Sequence, residues 1–220
     1  MMRRRALGGL GLGLLLIGVG CAGPPPVVDA LRTRDFDGDP GRLVVLPVEL
    51  AEGVVERGPE KLRADVLAGL LESLRAAGYS VAGVAATAAP AAGLRSPEQL
   101  YRGIQQARRH FAADHVMRLQ VHRFREREGG EFGTLRPASI DCVLTLYAAP
   151  GGERRFRARF DETQISFSGD LMRAWRYPGR GLRWLDADAL LRFGLDAAVA
   201  SLVDAPIDRE IPARPGRSAQ

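Results

Sequence analysis

Apolar residues along the chain follow two different periods, one typical of strands and one typical of helices. Residues 43–50, Leu-Val-Val-Leu-Pro-Val-Glu-Leu, are almost continuously apolar, as expected for a strand that is covered on both faces. A second short strand is predicted at 79–84. Apolar and polar residues alternate over 115–126, over 140–148 and over 156–160, which predicts strands with one polar face. The pattern therefore predicts five strands.

Three other segments have helical periodicity and a recognisable start. Pro59 can occupy the first position of a helix, where its missing N–H costs nothing. Ser96-Pro97-Glu98-Gln99 combines a capping box with proline at the first helical position, and Asp186 can cap the last helix. The predicted apolar faces consist of Leu62, Val66, Leu70, Leu71, Leu74 and Ala77, of Leu100, Ile104, Ala107 and Phe111, and of Leu190, Leu191, Leu195, Ala198, Val199 and Leu202.

The order of these elements, β-α-β-α-β-β-β-α, implies two parallel crossovers followed by an antiparallel meander. Pro150-Gly151-Gly152-Glu153 is a hairpin turn between the last two strands. Pro47 would interrupt a hydrogen-bonded ladder in mid-sheet, so we expect it near the end of the first strand. We predict an α/β (α+β) fold, with a single mixed sheet of about five strands and helices packed on it, in one domain over 42–205.

The first 21 residues have the organisation of a bacterial secretory signal. Three arginines, Arg3 to Arg5, precede a run of small and apolar residues from Ala6 to Gly20. This run is shorter than the roughly 20 apolar residues that a helix needs to cross a bilayer. An uncleaved membrane anchor is one alternative to a cleaved lipoprotein signal. An ordinary cleaved secretory protein is the other. Because Cys21 directly follows Gly18-Val19-Gly20, the segment resembles a lipoprotein signal, but Gly18 departs from the usual Leu, Val or Ile.

The resemblance to lipoprotein signals implies that residues 1–20 are a signal peptide and that Cys21 carries acyl chains such as palmitate. Ala22 after the cysteine implies sorting to the outer membrane, with the domain facing the periplasm. Acyl chains of this kind hold a protein to a bilayer. Residues 21–41 are predicted to be a flexible tether because they contain Pro24-Pro25-Pro26 and a polar stretch. Residues 206–220 are predicted to be a disordered tail.

Composition excludes several classes of function. The net charge is +5, but Arg3, Arg4 and Arg5 lie in the signal segment, so we predict no nucleic-acid partner. Cys142 is the only cysteine besides Cys21, so acylation of Cys21 leaves no intrachain disulfide. The chain has no Gly-x-Ser-x-Gly, Walker or His-Glu-x-x-His motif, and its three histidines lack metal-ligand spacing. We therefore predict no cofactor, no metal and no enzymatic activity, with an envelope hydrolase as a third alternative.

The segment 161–184 loses periodicity and gathers polar and aromatic residues, and long excursions of this kind are commonly functional. Tryptophan and arginine dominate binding hot spots. The candidate partner-binding residues are Asp161, Glu162, Thr163, Gln164, Trp175, Arg183 and Trp184. The alternative is that Trp175 and Trp184 only hold the loop against the sheet.

A basic stripe is predicted on one strand face, formed by Arg155, Arg157 and Arg159. It is either a solvated face or a surface for an acidic partner or lipid headgroups. Cys142 lies on the alternating apolar face of its strand and is predicted to be a buried hydrophobic residue and not a reactive thiol.

Two sets of residues resemble known envelope proteins. The first set is Leu-Val-Val-Leu-Pro before a helix, followed by Gly78-Tyr79-Ser80-Val81 in the second strand. This arrangement resembles that of a group of lipoproteins and related domains. The group includes the N-terminal domain of TolB, the lipoprotein activators of penicillin-binding proteins and the curli secretion lipoprotein. The second set is similar to a recurrent sequence pattern of uncharacterised bacterial lipoproteins. It consists of Phe160-Asp161-Glu162-Thr163-Gln164, Arg183-Trp184-Leu185 and Leu191-Arg192-Phe193-Gly194-Leu195.

The resemblance implies a lipid-anchored, non-enzymatic domain that binds another envelope protein. The alternative is a carrier of lipid or small ligands that uses a pocket under the 161–184 loop.

Overall fold

The fold was analysed in a computed structural model, which describes residues 28–54, 58–85, 96–130, 133–164 and 184–208. The predicted signal peptide, Cys21, Trp175 and Arg183 lie outside these residues. The helices are α1 (Pro59–Ala76), α2 (Pro97–Phe111) and α3 (Ala187–Asp204). The strands are β1 (Asp29–Arg32), β2 (Leu43–Val45), β3 (Glu49–Leu50), β4 (Val81–Val84), β5 (His115–Arg125), β6 (Glu128–Gly129), β7 (Thr134–Arg136), β8 (Ser139–Ala148) and β9 (Arg154–Thr163). Within the described ranges, no helix has both the length and the apolar character needed to span a bilayer.

Seven strands form one mixed sheet in the order β1-β9-β8-β5-β2-β4, and β3 also pairs with β5. Strand β2 runs parallel to β4 and β5, whereas β5, β8, β9 and β1 are antiparallel neighbours. The predicted α/β class, the two parallel crossovers and the antiparallel meander are therefore confirmed. The sheet has seven strands instead of about five. Strands β6 and β7 pair separately with each other.

The strand predicted over 43–50 is two short strands with a break at Pro47. Strand β2 ends at Val45 and β3 begins at Glu49, and both pair in parallel with β5. Proline has no N–H to donate to a ladder, which explains why the regular pairing stops here. Pro47 is thus placed just beyond the end of β2, as expected.

The folded unit begins before Arg42. Residues 29–32, which the sequence assigned to the tether, form β1 and pair with β9. Val28 and Phe36 on either side of β1 are buried. Ile207, assigned to the tail, forms a bridge with Arg32. These segments were missed because their few apolar residues are spread among charged ones, so no strand period is visible.

The three predicted helix starts are confirmed in detail. In α2 the Gln99 N–H donates to Ser96 Oγ, and the Ser96 N–H donates to Gln99 Oε1, both at 3.1 Å. The Ala189 N–H donates to Asp186 Oδ1 at 2.7 Å, and Pro59 occupies the first turn of α1. Each contact satisfies or removes a backbone donor that has no partner within the helix.

The helices lie on both faces of the sheet. Leu43 and Val45 of β2 pack in a core cluster with residues of α1 and α3, whereas Val44 packs with Ile104 and Ala107 of α2. Successive strand residues point to opposite faces, so α1 and α3 cover one face and α2 covers the other. Helix α2 covers only part of its face of the sheet, the part formed by β2 and the start of β5. Among the described residues, no helix covers that face over β8 and β9.

Helix α3 packs very closely on β9, and we predict that this packing requires Gly194. A Cβ added at Gly194 would overlap the Phe160 ring, whereas one added at Gly69 of α1 would lie 3.5 Å from Leu195 Cδ1. Alanine normally stabilises a helix interior by about 1 kcal/mol relative to glycine. Gly69→Ala should therefore be neutral or stabilising, while Gly194→Ala should destabilise by about 1–3 kcal/mol through overpacking.

Urea unfolding of the two variants and the parent protein measures this difference. Equal changes in the free energy of unfolding for Gly69→Ala and Gly194→Ala would contradict the close packing.

Candidate interaction surface

The four consecutive candidate residues at the end of β9 point to different sides of the sheet. Asp161 and Thr163 are exposed on the face opposite α1 and α3. Glu162 and Gln164 are 8% and 1% exposed on the helix-covered face. This separation follows from the two-residue period of a strand. Asp161 to Gln164 therefore do not form one surface.

The remaining candidates are only partly described. Trp184 is half-buried ahead of α3, and its backbone carbonyl accepts a hydrogen bond from Arg127 Nη1 at 2.7 Å. This contact links the start of α3 to the segment after β5. Trp175 and Arg183 lie outside the described residues, so their role in binding stays a prediction.

Asp161 lies on a polar surface that we call the charged face, formed by the outward residues of β5, β8 and β9. In the register of the sheet, Asp141 is opposite both Asp161 and Arg123, and Val143 is opposite Arg159. The charged face consists of Arg118, Gln120, Arg123, Ser139, Asp141, Val143, Thr145, Arg157, Arg159, Asp161 and Thr163. Its four β8 residues are buried, so the residues of β5 and β9 supply its exposed surface.

Ion pairs run across the charged face from strand to strand. Arg159 binds Asp141 through two hydrogen bonds of 3.1 and 2.9 Å, and its Nη2 also lies 2.9 Å from Asp161 Oδ2. Arg123 of β5 donates to the other oxygen of Asp161 and, at 2.7 Å, to Ser139 Oγ. The hydrogen bonds and charge of Asp141 raise the pKa of Arg159 above its ordinary value. Asp161 thus joins two arginines from non-adjacent strands.

A second pair is more deeply placed at the end of this face near β3. Arg118 donates from Nε and Nη2 to the two oxygens of Glu49, both at 2.7 Å. The side chains are only 13% and 11% exposed. Burial opposes the charge on Arg118, but the hydrogen bonds and charge of Glu49 outweigh it, so the pKa of Arg118 is raised. A two-point contact of this kind also fixes the orientation of the guanidinium.

The predicted basic stripe exists, but most of its charge is neutralised. Arg157 and Arg159 lie on the charged face, and Arg155 lies at the register shift near the start of β9. Arg155 pairs with Asp35, and Arg159 pairs with Asp141 and Asp161. Within the described part of the chain, Arg157 alone of the three has no ion-pair partner. The surface therefore presents alternating charges instead of a positive stripe.

Sequence reasoning missed Asp141 and Arg123 because they lie on strands away from the 161–184 segment. The alternation of Ile140, Cys142 and Leu144 nevertheless contained the necessary signal, since it places Asp141 on the opposite face of β8. Combined with the hairpin turn at 150–153, it would have brought Asp141 beside the arginines of β9.

Gln164 has an unusual environment on the other face of the sheet. Its side chain is 1% exposed, and neither atom of its carboxamide has a hydrogen-bond partner among the described groups. Its backbone N–H donates to the Ala138 carbonyl at 3.1 Å. Burying an amide without a hydrogen bond lowers the free energy of unfolding, so the Gln164 side chain destabilises the fold where β9 ends.

Cys142 and the histidines do not form a reactive or metal-binding centre in the described residues. Cys142 is buried, and burial, aided by the nearby charge of Asp141, raises its pKa to about 12. His115 donates from Nδ1 to the Pro40 carbonyl at 2.9 Å and packs edge-on against Phe36. No group of three or more potential ligands for a metal ion occurs in the described ranges.

No protein-family model and no curated protein sequence matches the chain. Among solved structures, it is similar to the PelC dodecamer of Paraburkholderia phytofirmans, with 14% identity over 81% of this chain and 96% of that chain, at a TM-score of 0.50. Lipoprotein GNA1162 of Neisseria meningitidis matches with 18% identity over 62% of this chain and 93% of that chain, at a TM-score of 0.37.

The LpoB C-terminal domain of Salmonella enterica matches with 12% identity over 57% of this chain and 85% of that chain, at a TM-score of 0.28. At these identities the similarity to PelC shows a shared fold. The solved structures that resemble the chain include bacterial lipoproteins. The narrower grouping with TolB and the activators of penicillin-binding proteins stays a prediction.

We predict that breaking the Arg118–Glu49 pair costs far more stability than breaking an exposed pair of the same chemistry. Glu49→Gln should destabilise the protein by about 3 kcal/mol, because Arg118 would be left charged and nearly buried. Glu98→Gln removes the partner of Arg102 in an exposed helix pair and should cost less than about 0.5 kcal/mol.

Chemical unfolding of both variants gives the two values. A loss for Glu49→Gln no larger than that for Glu98→Gln would contradict the buried pair.

The Cys142 thiol should not react in the folded protein. At pH 8 a thiol with a pKa of about 12 is ionised roughly 10³-fold less than a free cysteine with a pKa of about 8.5, and it is also shielded. Iodoacetamide labelling, followed by mass spectrometry of the Cys142 peptide, should show modification only after unfolding in urea. Rapid labelling of the native protein would show that Cys142 is accessible.

Proposed function

We propose that the chain is a lipid-anchored, non-enzymatic protein of the bacterial cell envelope whose periplasmic domain binds another envelope component. The acyl chains would be attached at Cys21, and the anchor would lie in the outer membrane. The lipoprotein-like signal supports the anchor, and the solved lipoprotein structures that resemble the chain are consistent with an envelope location.

The charged face is the observation that carries the binding proposal. Its arginines and carboxylates are held in position by neighbouring strands, so little side-chain freedom is lost when a partner binds. Alternating charges favour a partner of complementary pattern and disfavour others. Arg157, which has no ion-pair partner among the described residues, can pair with a carboxylate of the partner in the two-point manner of arginine.

The shared fold with PelC is compatible with this role. PelC of Paraburkholderia phytofirmans forms a dodecamer, so in that protein the fold takes part in protein–protein assembly. The envelope component that binds the charged face can therefore be another protein chain.

The described interior favours a binding domain over a carrier. Phe160 is buried against Gly194 and packs edge-on with Phe193 at 6.3 Å between ring centres. The space between β9 and α3 is thus filled by side chains at Phe160. Residues 165–183 themselves lie outside the described ranges, and the carrier stays the second candidate.

Photocrosslinking in cells of the native host tests the proposal with the full chain. A photoreactive amino acid at position 163, an exposed position of the charged face that leaves Arg157 intact, should give a discrete adduct with another envelope component. The same residue at the exposed position 109 of α2 should not. Asp161→Lys should abolish the adduct because it breaks the bridge between Arg123 and Arg159. Cys21→Ser should move the protein from the membrane to the soluble fraction.

The two parts of the proposal fail separately. Membrane attachment that survives Cys21→Ser would contradict the anchor. Absence of an adduct at position 163, or an equal adduct at position 109, would contradict binding through the charged face.

A further inference from the structure

The two edges of the sheet differ in whether their backbone groups are paired. At the β1 edge, the Arg32 N–H donates to the Pro206 carbonyl at 2.9 Å, and the Asp208 N–H donates to the Arg32 carbonyl at 2.7 Å. The segment after α3 therefore covers β1. At the opposite edge, β4 pairs with β2, and within the described residues nothing pairs with its other side. Among the described residues, the outer side of β4 is therefore open, as is that of the two-residue strand β3.

The composition of β4 does not protect this edge. Natural edge strands are protected by lysine, proline or inward-pointing charges, or by being short or bulged, and β4 has only the last two features. Strand β4 reads Val81-Ala82-Gly83-Val84, and Ala82 and Val84 are exposed, Val84 by 37%. The register with β2 shifts beside Ala82, which leaves only a short regular ladder. The edge therefore fits a short extended segment.

A groove of about 540 Å³ runs alongside β4 and the end of α1. Leu71, Tyr79, Val81 and Val84 supply apolar surface to it. Alternate side chains of an added strand would point toward this groove, since strand residues alternate between faces. Backbone hydrogen bonds to β4 and side-chain contacts in the groove would then act together, as in known strand-addition complexes.

Charge indicates what kind of segment fits. Among the described residues that line the groove, Arg75 is the only charged one, and its charge also acts on Glu72. Glu72, the acidic residue one turn earlier, already forms an ion pair with Arg192, with 2.5 Å between Glu72 Oε1 and Arg192 Nη2. A second copy pairing through its own β4 would bring Val-Ala-Gly-Val, which contains no carboxylate for Arg75. An acidic segment of a different protein is therefore favoured.

We propose that the β4 edge is a docking site for an extended peptide segment of a partner protein. The segment pairs with β4, places apolar side chains in the groove and presents an aspartate or glutamate to Arg75. This surface is separate from the charged face, and the proposal does not depend on the lipid anchor.

Selection from a random peptide display library, using the full chain purified in detergent, tests the proposal. Peptides that bind should combine alternating β-branched or aromatic residues with a carboxylate. Fluorescence anisotropy with these peptides should show about tenfold weaker binding for Arg75→Glu, which corresponds to the loss of one charge-assisted contact. Arg109→Glu is the matched control, because Arg109 occupies the last turn of α2 as Arg75 does that of α1.

A second variant tests the backbone pairing. Ala82→Pro removes a backbone donor at an exposed position beside the register shift, and proline is tolerated at edges and bulges. It should weaken binding by a similar factor while the thermal unfolding midpoint stays close to that of the parent protein. In the parent protein, hydrogen exchange at Ala82 and Val84 should slow when the peptide binds.

Three results would overturn the proposal. The first is selection of peptides without an enriched carboxylate, or of none. The second is binding that is insensitive to both Arg75→Glu and Ala82→Pro. The third is self-association in sedimentation experiments that Ala82→Pro abolishes, which would assign the edge to a second copy of the chain.

Discussion

The register between β8 and β9 is the constraint on which both faces of the sheet depend. It places Cys142 opposite Phe160, toward α3, and Asp141 opposite Asp161, on the charged face. A slip of one residue would turn every side chain of β9 to the other face, burying Arg159 and Asp161 and exposing the phenylalanines. The close packing of Phe160 on Gly194 makes such a slip costly. The apolar core therefore holds the charged residues in the positions where they form ion pairs.

The charged face in turn reinforces the same arrangement. Arg123 reaches across β8 to Asp161 on β9, so three strands are linked by side chains as well as by backbone hydrogen bonds. Individual exposed pairs contribute little to stability, but side chains that share partners lose less freedom for each contact formed. A surface built in this way is ordered before any partner arrives. This order is the physical basis for the proposed binding role of the charged face.

Much of the fold could be predicted from the sequence because local signals agree with the final structure. The capping box at Ser96, the proline at position 59 and the alternation of β8 each determine one element through a local mechanism. Strand β1 could not be predicted in this way, since Ala30 is its only buried residue and its pairing comes from distant β9. The break at Pro47 could be predicted from the sequence. The sequence did not show that residues after the break pair with β5 again, as strand β3.

The four candidate residues at the end of β9 do not share one face, for a geometric reason, and whether they bind a partner stays a prediction. Asp161 to Gln164 are neighbours in sequence, and adjacent strand residues are separated by the sheet itself. The partners of Asp161 come from β5 and from the same face of β9, which only the register reveals. For Trp175 and Arg183, which lie outside the described residues, the prediction stands as made.

The pairing of residues 206–208 with β1 has a mechanical consequence for the proposed membrane attachment. Any tension on the chain before Val28 is transmitted first to β1, which is held by β9 on one side and by the segment after α3 on the other. Both sets of hydrogen bonds must break before β1 can leave the sheet. The load is thus shared between the two ends of the folded unit, and a pull on the leading end is resisted by the trailing one.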